Sequence, residues 1–260
     1  MFWHVSNDSV RTASLSYSHV IAIIHGKKAP ENSMQYMASV QDNNGHHVCG
    51  GFLITEEFVV SAAQCDDSPT HVVLGNHNLK NGNHQKIKIE NKLIHENYQH
   101  VGLGNDIMLI KLSEKVKLGH GVEIIQIPHA EINLKENQVC QVAGWGTTKT
   151  HGKPVDELMV VDVSVIDKQV CKEQWPDLPA NVTCAGGYKT NKGFCQVCFL
   201  SFQFKQFYTP ALKSLCAGFH LLFVMWALCS YLNTKRMIIR VLIRIGICVG
   251  VWGCSLGLIL

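Results

Sequence analysis

The chain has 260 residues and a formal net charge of +3, but its charges are distributed unevenly. All 20 acidic residues lie at or before Asp177, whereas residues 197–260 carry six basic residues and no acidic one. Residues 1–196 hold 17 basic against 20 acidic residues, a net charge of −3, which argues against a nucleic-acid surface on this part.

The first residues lack the features of a secretion signal. Residues 1–20, MFWHVSNDSVRTASLSYSHV, contain no apolar core of about 7 to 15 residues, because Asp8 and Arg11 interrupt them. We therefore treat residues 1–22 as an N-terminal segment without a clear signal peptide.

From residue 23 to residue 196, turn signals separate short segments with strand-like alternation. The turn signals are NNG (43–45), LGNHN (74–78), NGN (81–83) and GWG (144–146). In QKIKIENKLI (85–94), Ile87 and Ile89 alternate with Lys86 and Lys88, as in a strand with one buried face. No long amphipathic helical pattern stands out. The pattern predicts an all-β sandwich or barrel.

One predicted strand ends in a polar residue. VVSAAQC (59–65) is an apolar, β-branched run that is typical of a buried strand, and it delivers Gln64 to a fixed position. The run leaves open whether Gln64 is a working group or replaces one.

Cysteines and histidines do not suggest a metal site. Six of the 11 cysteines precede residue 197, and their spacing is too wide for a CxxC zinc pattern, so we predict disulfides in an oxidising compartment. The 14 histidines lack ligand-like spacing, so we predict that His46, His47, His77 and His84 are surface-loop residues. No metal and no cofactor are expected.

Five motifs stand out between residues 23 and 196: IIHGKKAPENSMQYMASVQ (23–41), CGGFLITEEFVVSAAQC (49–65), NDIMLIKL (105–112), AGWGTT (143–148) and CAGGYKTNKGFCQ (184–196). In their order and approximate spacing they resemble a trypsin-like serine protease, and in particular its granzyme and mast-cell-protease branch. The resemblance covers residues 23–196, which we interpret as a truncated protease domain. It implies two antiparallel β-barrels with the active site in the cleft between them, the second barrel being incomplete. It also implies a peptide or protein substrate.

The same resemblance assigns the catalytic positions. Asp106 matches the buried carboxylate of the triad, and Gln64 stands at the position of the histidine. A carboxamide keeps some hydrogen bonds of an imidazole but exchanges no proton near neutral pH, so it cannot act as a general base. The nucleophile segment should follow Gln196, where the chain reads VCFLSFQFKQFYTP. Ser201 lies there without the glycines that would form an oxyanion hole, so we predict a proteolytically inactive form.

Two further positions follow from the resemblance. Gly193 matches the floor of the substrate pocket, where a preference for basic side chains would need an aspartate. Ile23 matches the activation terminus that limited proteolysis releases, although Ala22 precedes it instead of a charged processing signal.

The resemblance also implies two disulfides, Cys49 with Cys65 and Cys171 with Cys184. The family partners of Cys140 and Cys195 fall in residues that this chain does not match.

Residues 197–260 form a hydrophobic tail outside the resemblance. Two stretches, 215–232 and 245–260, approach the length of membrane spans. One interpretation is therefore a helical tail that enters a membrane as a hairpin. A Gln-Val junction can be encoded CAG-GTN, as when a reading frame runs through a splice donor. Because the match ends there and acidic residues vanish beyond it, our favoured hypothesis is a tail derived from a translated intron.

Two function classes therefore stay open. One is a serine endopeptidase homologue, ancestrally secreted or stored in granules, that is inactive in this form. The other is a non-catalytic binding or decoy module on the protease scaffold, tethered to a membrane if the tail is genuine.

Overall fold

A computed structural model describes residues 22–100, 103–127, 134–148, 155–174, 176, 183–186, 193–195 and 258–259. In chain order the strands are β1 (Ala22–Ile24), β2 (Lys27–Lys28), β3 (Met37–Gln41), β4 (His47–Thr55), β5 (Phe58–Ser61), β6 (His71–Leu74), β7 (Gln85–Ile94), β8 (Met108–Leu112), β9 (Val139–Gly144), β10 (Met159–Val165), β11 (Ala185–Gly186), β12 (Gly193–Cys195) and β13 (Leu258–Ile259). A 3-10 helix, η1 (Ala63–Cys65), follows β5, and one short α-helix, α1 (Lys168–Gln174), follows β10.

The first half of the described chain is a closed barrel of six antiparallel strands in the order β3-β4-β5-β8-β7-β6. The side-chain pattern of strand β7 fits a barrel wall, because successive side chains point to opposite faces. Ile87 is buried, while Lys86 and Lys88 on either side are exposed. All four residues of strand β5 are buried, so side chains on both faces of this strand are packed.

The second half is an antiparallel sheet built around β10. Strand β10 pairs with β9, β2 and β11, and β13 pairs with β11. A separate two-stranded sheet joins β1 to β12. The predicted all-β fold, with one complete barrel and a second β-unit, is confirmed.

Hydrogen bonds tie the two halves together. The indole N–H of Trp145 and the backbone N–H of Leu158 both donate to the carbonyl oxygen of His77, at 2.7 and 2.8 Å. The Nδ2 of Asn78 donates to Glu157, which also forms an ion pair with Lys28 at 3.0 Å. These contacts fix the first barrel against β2 and the segment that leads into β10.

Two disulfides reinforce the described part of the chain. Cys49 on β4 is bonded to Cys65 in η1, and Cys171 in α1 is bonded to Cys184. Each closes a loop of roughly 15 residues, for which the usual stabilisation is about 3 kcal/mol. Both pairings are the ones that the resemblance implied.

Most of the hydrophobic tail lies outside the described residues, including nearly all of stretches 215–232 and 245–260. The two residues described there, Leu258 and Ile259, form a short strand that pairs with β11. In the part of the chain that the structure describes, no helix is long and apolar enough to cross a membrane.

Candidate active site

The end of strand β5 determines where Gln64 lies. After the buried residue Ser61, Ala62 and Ala63 are small enough to be buried as the chain turns into η1. The disulfide from Cys65 to Cys49 then ties η1 to β4. Gln64 therefore lies on a short helix that is held on both sides, and its side chain is partly exposed.

The beginning of strand β8 determines where Asp106 lies. Strands β5 and β8 are paired, with Ser61 opposite Met108, so the end of β5 meets the start of β8. Asp106 precedes β8 by two residues and is only 3% exposed. Antiparallel pairing thus brings together two residues that are 42 positions apart in the sequence.

Gln64 and Asp106 form a two-point contact. The backbone N–H of Gln64 donates to Oδ1 of Asp106 at 2.8 Å, and the side-chain Nε2 of Gln64 donates to Oδ2 at 2.7 Å. The backbone N–H of Ala63 also favours the ionised form of this carboxylate, more weakly than Gln64 does. A carboxylate with two short N–H hydrogen bonds is partly solvated by the protein despite its burial.

The charge of Asp106 is nevertheless disfavoured. Burial raises the pKa of Asp106 to about 6, although the N–H donors of Gln64 and Ala63 act in the opposite direction. The charge of this carboxylate also affects Tyr98. Burial first, and then the charges of Asp106 and Asp67, raise the pKa of the Tyr98 phenol to about 12.

The chemistry available to this pair is hydrogen bonding without proton transfer from Gln64. A carboxamide has a donor side and an acceptor side, and neither titrates near neutral pH. Acyl transfer to serine needs a group that takes a proton from the nucleophile and returns it to the leaving group. Gln64 holds the position next to Asp106 but cannot perform that step.

Ile23 and Gly193 lie on two paired strands, β1 and β12, which contain neither Gln64 nor Asp106. Ile23 is fully buried, and its backbone N–H donates to the carbonyl oxygen of Thr147 at 2.7 Å. Strand β1 pairs with β12, with Ile24 opposite Gly193. Ile23 is thus embedded in a strand that continues back to Ala22. The roles of Ile23 as activation terminus and of Gly193 as pocket floor stay predictions.

One histidine differs from the sequence-based expectation. His47 was expected in a surface loop, but it begins β4, and its Nε2 atom is buried without a hydrogen-bond partner among the described residues. Its Nδ1 is hydrogen-bonded to the Ser39 hydroxyl at 2.7 Å, and the rings of His47 and Trp145 pack in an edge-to-face arrangement. Burial lowers the pKa of His47 to about 4. The signal in the sequence was its place two residues before the β4 core residue Cys49, because alternate side chains of a strand lie on the same face.

No metal centre accompanies these residues. Within the described ranges, no group of three or more His, Cys, Asp or Glu side chains is arranged to hold a metal ion. A surface cavity of about 450 Å³ lies beside η1 and β7, where Asp66, Thr70 and Lys92 line it, and it includes neither Gln64 nor Asp106.

The closed barrel, the second sheet and the buried carboxylate facing the end of β5 together match the scaffold of a trypsin-like serine protease. The chain belongs to the trypsin family: the family described as Trypsin matches residues 23–196.

Curated relatives support this assignment. The chain is 37% identical over 177 residues to Granzyme B of Rattus norvegicus, a match covering 65% of this chain and 71% of that protein. It is 38% identical over 174 residues to Granzyme-like protein 1 of Rattus norvegicus, covering 64% and 70% of the two chains. It is 37% identical over 178 residues to Serine protease 1 of Homo sapiens, covering 67% and 70%.

Proposed function

We propose that this chain is a proteolytically inactive member of the trypsin family. The observation that carries the proposal is the Gln64 side chain, whose Nε2 donates to Asp106 Oδ2 at 2.7 Å. The scaffold supports peptide or protein substrates as the ancestral ligands, since the family acts on them.

The size of the expected defect follows from the role of the missing group. In a comparable triad, removal of the base alone lowers kcat by a factor of about 10⁶, and removal of the nucleophile as well adds little. Gln64 supplies a hydrogen bond to Asp106 in place of an imidazole that could shuttle a proton. Turnover of a peptide bond should therefore fall below detection.

The lack of a recognisable nucleophile segment in the sequence supports the same proposal independently. After Gln196 the sequence continues as VCFLSFQFKQFYTP, without the glycine-rich segment that would present a serine and two oxyanion-hole donors. Ser201, the serine in that stretch, lies outside the described residues. A repaired base alone would leave the chain without a recognisable nucleophile.

The second candidate function is a binding or decoy module that uses the cleft without chemistry. It is supported by the partly exposed amide of Gln64, which keeps one side free of protein hydrogen bonds among the described residues. We propose a secreted or granule location for either function, because two disulfides suit an oxidising compartment. Tethering through 215–232 or 245–260 belongs to this second candidate.

Peptide hydrolysis by the purified full chain tests the proposal. A pool of fluorogenic peptides with acidic, basic, aromatic and small residues before the cleaved bond covers the preferences of trypsin-like enzymes. A catalytically active relative, assayed in parallel, shows that the pool detects cleavage. We expect no turnover above the buffer rate, and turnover that a covalent serine inhibitor abolishes would overturn the proposal. Saturable binding of uncleaved peptides would favour the binding module over a chain without ligand.

A further inference from the structure

The Gln64 carboxamide has two chemically different sides, and the structure fixes which one faces Asp106. Because Oδ2 of Asp106 accepts from Nε2, the amide nitrogen points towards the carboxylate. The backbone N–H of Gln64 occupies Oδ1 of the same carboxylate, so Oδ2 is the oxygen left for the side chain. The amide oxygen Oε1 points away from Asp106, and no hydrogen bond from a described residue reaches it.

The proton on Asp106 decides whether this orientation is the stable one. An ionised carboxylate only accepts hydrogen bonds, so Oε1 turned towards Oδ2 would place two acceptors in contact. A protonated carboxyl gains one O–H donor, and an O–H on Oδ2 needs an acceptor opposite it. Rotation of the terminal amide torsion, which is roughly two-fold, exchanges Nε2 and Oε1 with little change of shape.

The surroundings make Asp106 able to take up that proton. The carboxyl is 3% exposed, and burial raises its pKa to about 6. On the facing segment, the charge of Asp106 helps to raise the pKa of Tyr98, and the charge of Asp67 contributes to the same shift. In the same segment, burial lowers the pKa of His95, and the charge of Glu96 acts on His95 in the opposite direction. Among these described groups, no cation forms an ion pair with Asp106 that would hold it ionised.

We propose that Gln64 is a proton-controlled binding group whose exposed side changes with the protonation of Asp106. With Asp106 ionised, Oε1 faces outward and accepts a hydrogen bond from a backbone N–H or an ammonium group of a peptide ligand. With Asp106 protonated, its O–H donates to Oε1, and the amide NH₂ faces outward and donates to a carbonyl or carboxylate. The proton comes from solvent and stays on Oδ2, and no covalent bond other than that O–H changes. The proposal rests on the proposed function, because it treats Gln64 as a ligand-binding group instead of a catalytic one.

The same side-chain pair elsewhere in the chain supplies a control. Nε2 of Gln141 donates to Oδ1 of Asp162 at 2.7 Å, but both residues are partly exposed on neighbouring strands β9 and β10. Solvent can there satisfy either side of the amide, so protonation of the carboxyl should not impose a flip.

Nuclear magnetic resonance of the full chain, labelled with ¹⁵N in glutamine and ¹³C in aspartate, tests the coupling. We expect the Gln64 side-chain NH₂ signals and the Asp106 carboxyl signal to titrate with one midpoint, while the Gln141 NH₂ signals do not follow it. In Asp106→Asn, the new NH₂ can donate to Oε1 at every pH, so the Gln64 signals should be pH-independent and match those of the wild type at low pH. Gln64 signals that stay constant while Asp106 titrates in the wild-type chain would overturn the proposal, even if the variant fails to fold.

Ligand chemistry is tested on the same sample with methylammonium and methanesulfonate as probes. Methylammonium should shift the Gln64 signals only above the Asp106 midpoint, and methanesulfonate only below it. Equal responses to each probe on both sides of the midpoint would contradict the proposal. Peptide turnover by the chain would overturn its proposed inactivity without affecting these signals, so the two failures are distinguishable.

Discussion

The side-chain amide of Gln64 lies 2.7 Å from the Asp106 carboxylate, and the backbone of Gln64 occupies the second oxygen of the same group. The position next to this buried aspartate is thus filled and hydrogen-bonded. It holds a group that satisfies a buried charge but cannot carry a proton between a nucleophile and a leaving group.

Gln64 should stabilise the fold through Asp106. Gln64→Ala removes one donor from a buried carboxylate, so we expect the free energy of unfolding to fall by about 1–2 kcal/mol at neutral pH. The measurement is urea unfolding. Gln141→Ala removes an equally short bond to the partly exposed Asp162, and it should cost less than about 1 kcal/mol. Equal losses for both variants would show that Asp106 does not depend on Gln64.

Asp106 should make the protein less stable as the pH rises. Its pKa in the folded state is about 6, against a reference value of 3.8, so the folded state binds more protons between these values. The free energy of unfolding should therefore decrease with rising pH across this window, by about 3 kcal/mol from this group. Unfolding of wild type and Asp106→Asn across the window gives the contribution as a difference. A pH-independent difference would contradict the raised pKa.

His47 should act in the opposite direction. Its pKa is lowered to about 4 from 6.5, so the unfolded state binds more protons between these values. Stability should be lost as the pH falls through this window, by about 3 kcal/mol from this group. His47→Asn keeps a polar atom near Ser39 and should reduce this loss. His120→Asn is the matched control, because His120 is exposed and forms no ion pair among the described residues, and the loss of stability attributed to His47 should persist in that variant.

The tail hypothesis has its own test. If residues 197–260 are a translated intron, reverse-transcribed messages should join the Gln196 codon to a different exon. A dominant message that encodes VCFLSF would contradict this origin.

Strand alternation and turn signals were sufficient to predict the β-fold. The contact between Gln64 and Asp106 was implied by the resemblance to trypsin-like proteases, which places both residues at triad positions. Alternation alone predicted that Ile87 is buried and that Lys86 and Lys88 are exposed. The inward position of His47 was not predicted, since a polar residue beside a turn is usually exposed and only strand register places it inside. The pairing of Leu258 and Ile259 with β11 was not predicted either. It joins residues more than 70 positions apart, and no local pattern encodes such a contact.

Labelling with a fluorophosphonate that reacts with activated serines is the strongest test of whether this chain lacks a working nucleophile. The purified full chain and its Gln64→His variant are treated with the probe, and intact mass is measured beside an active relative. The account predicts no added mass on either form, because Gln64→His restores an imidazole next to Asp106 but supplies no nucleophile segment. Stoichiometric labelling of a serine such as Ser201 in the wild-type chain, together with peptide cleavage, would contradict it.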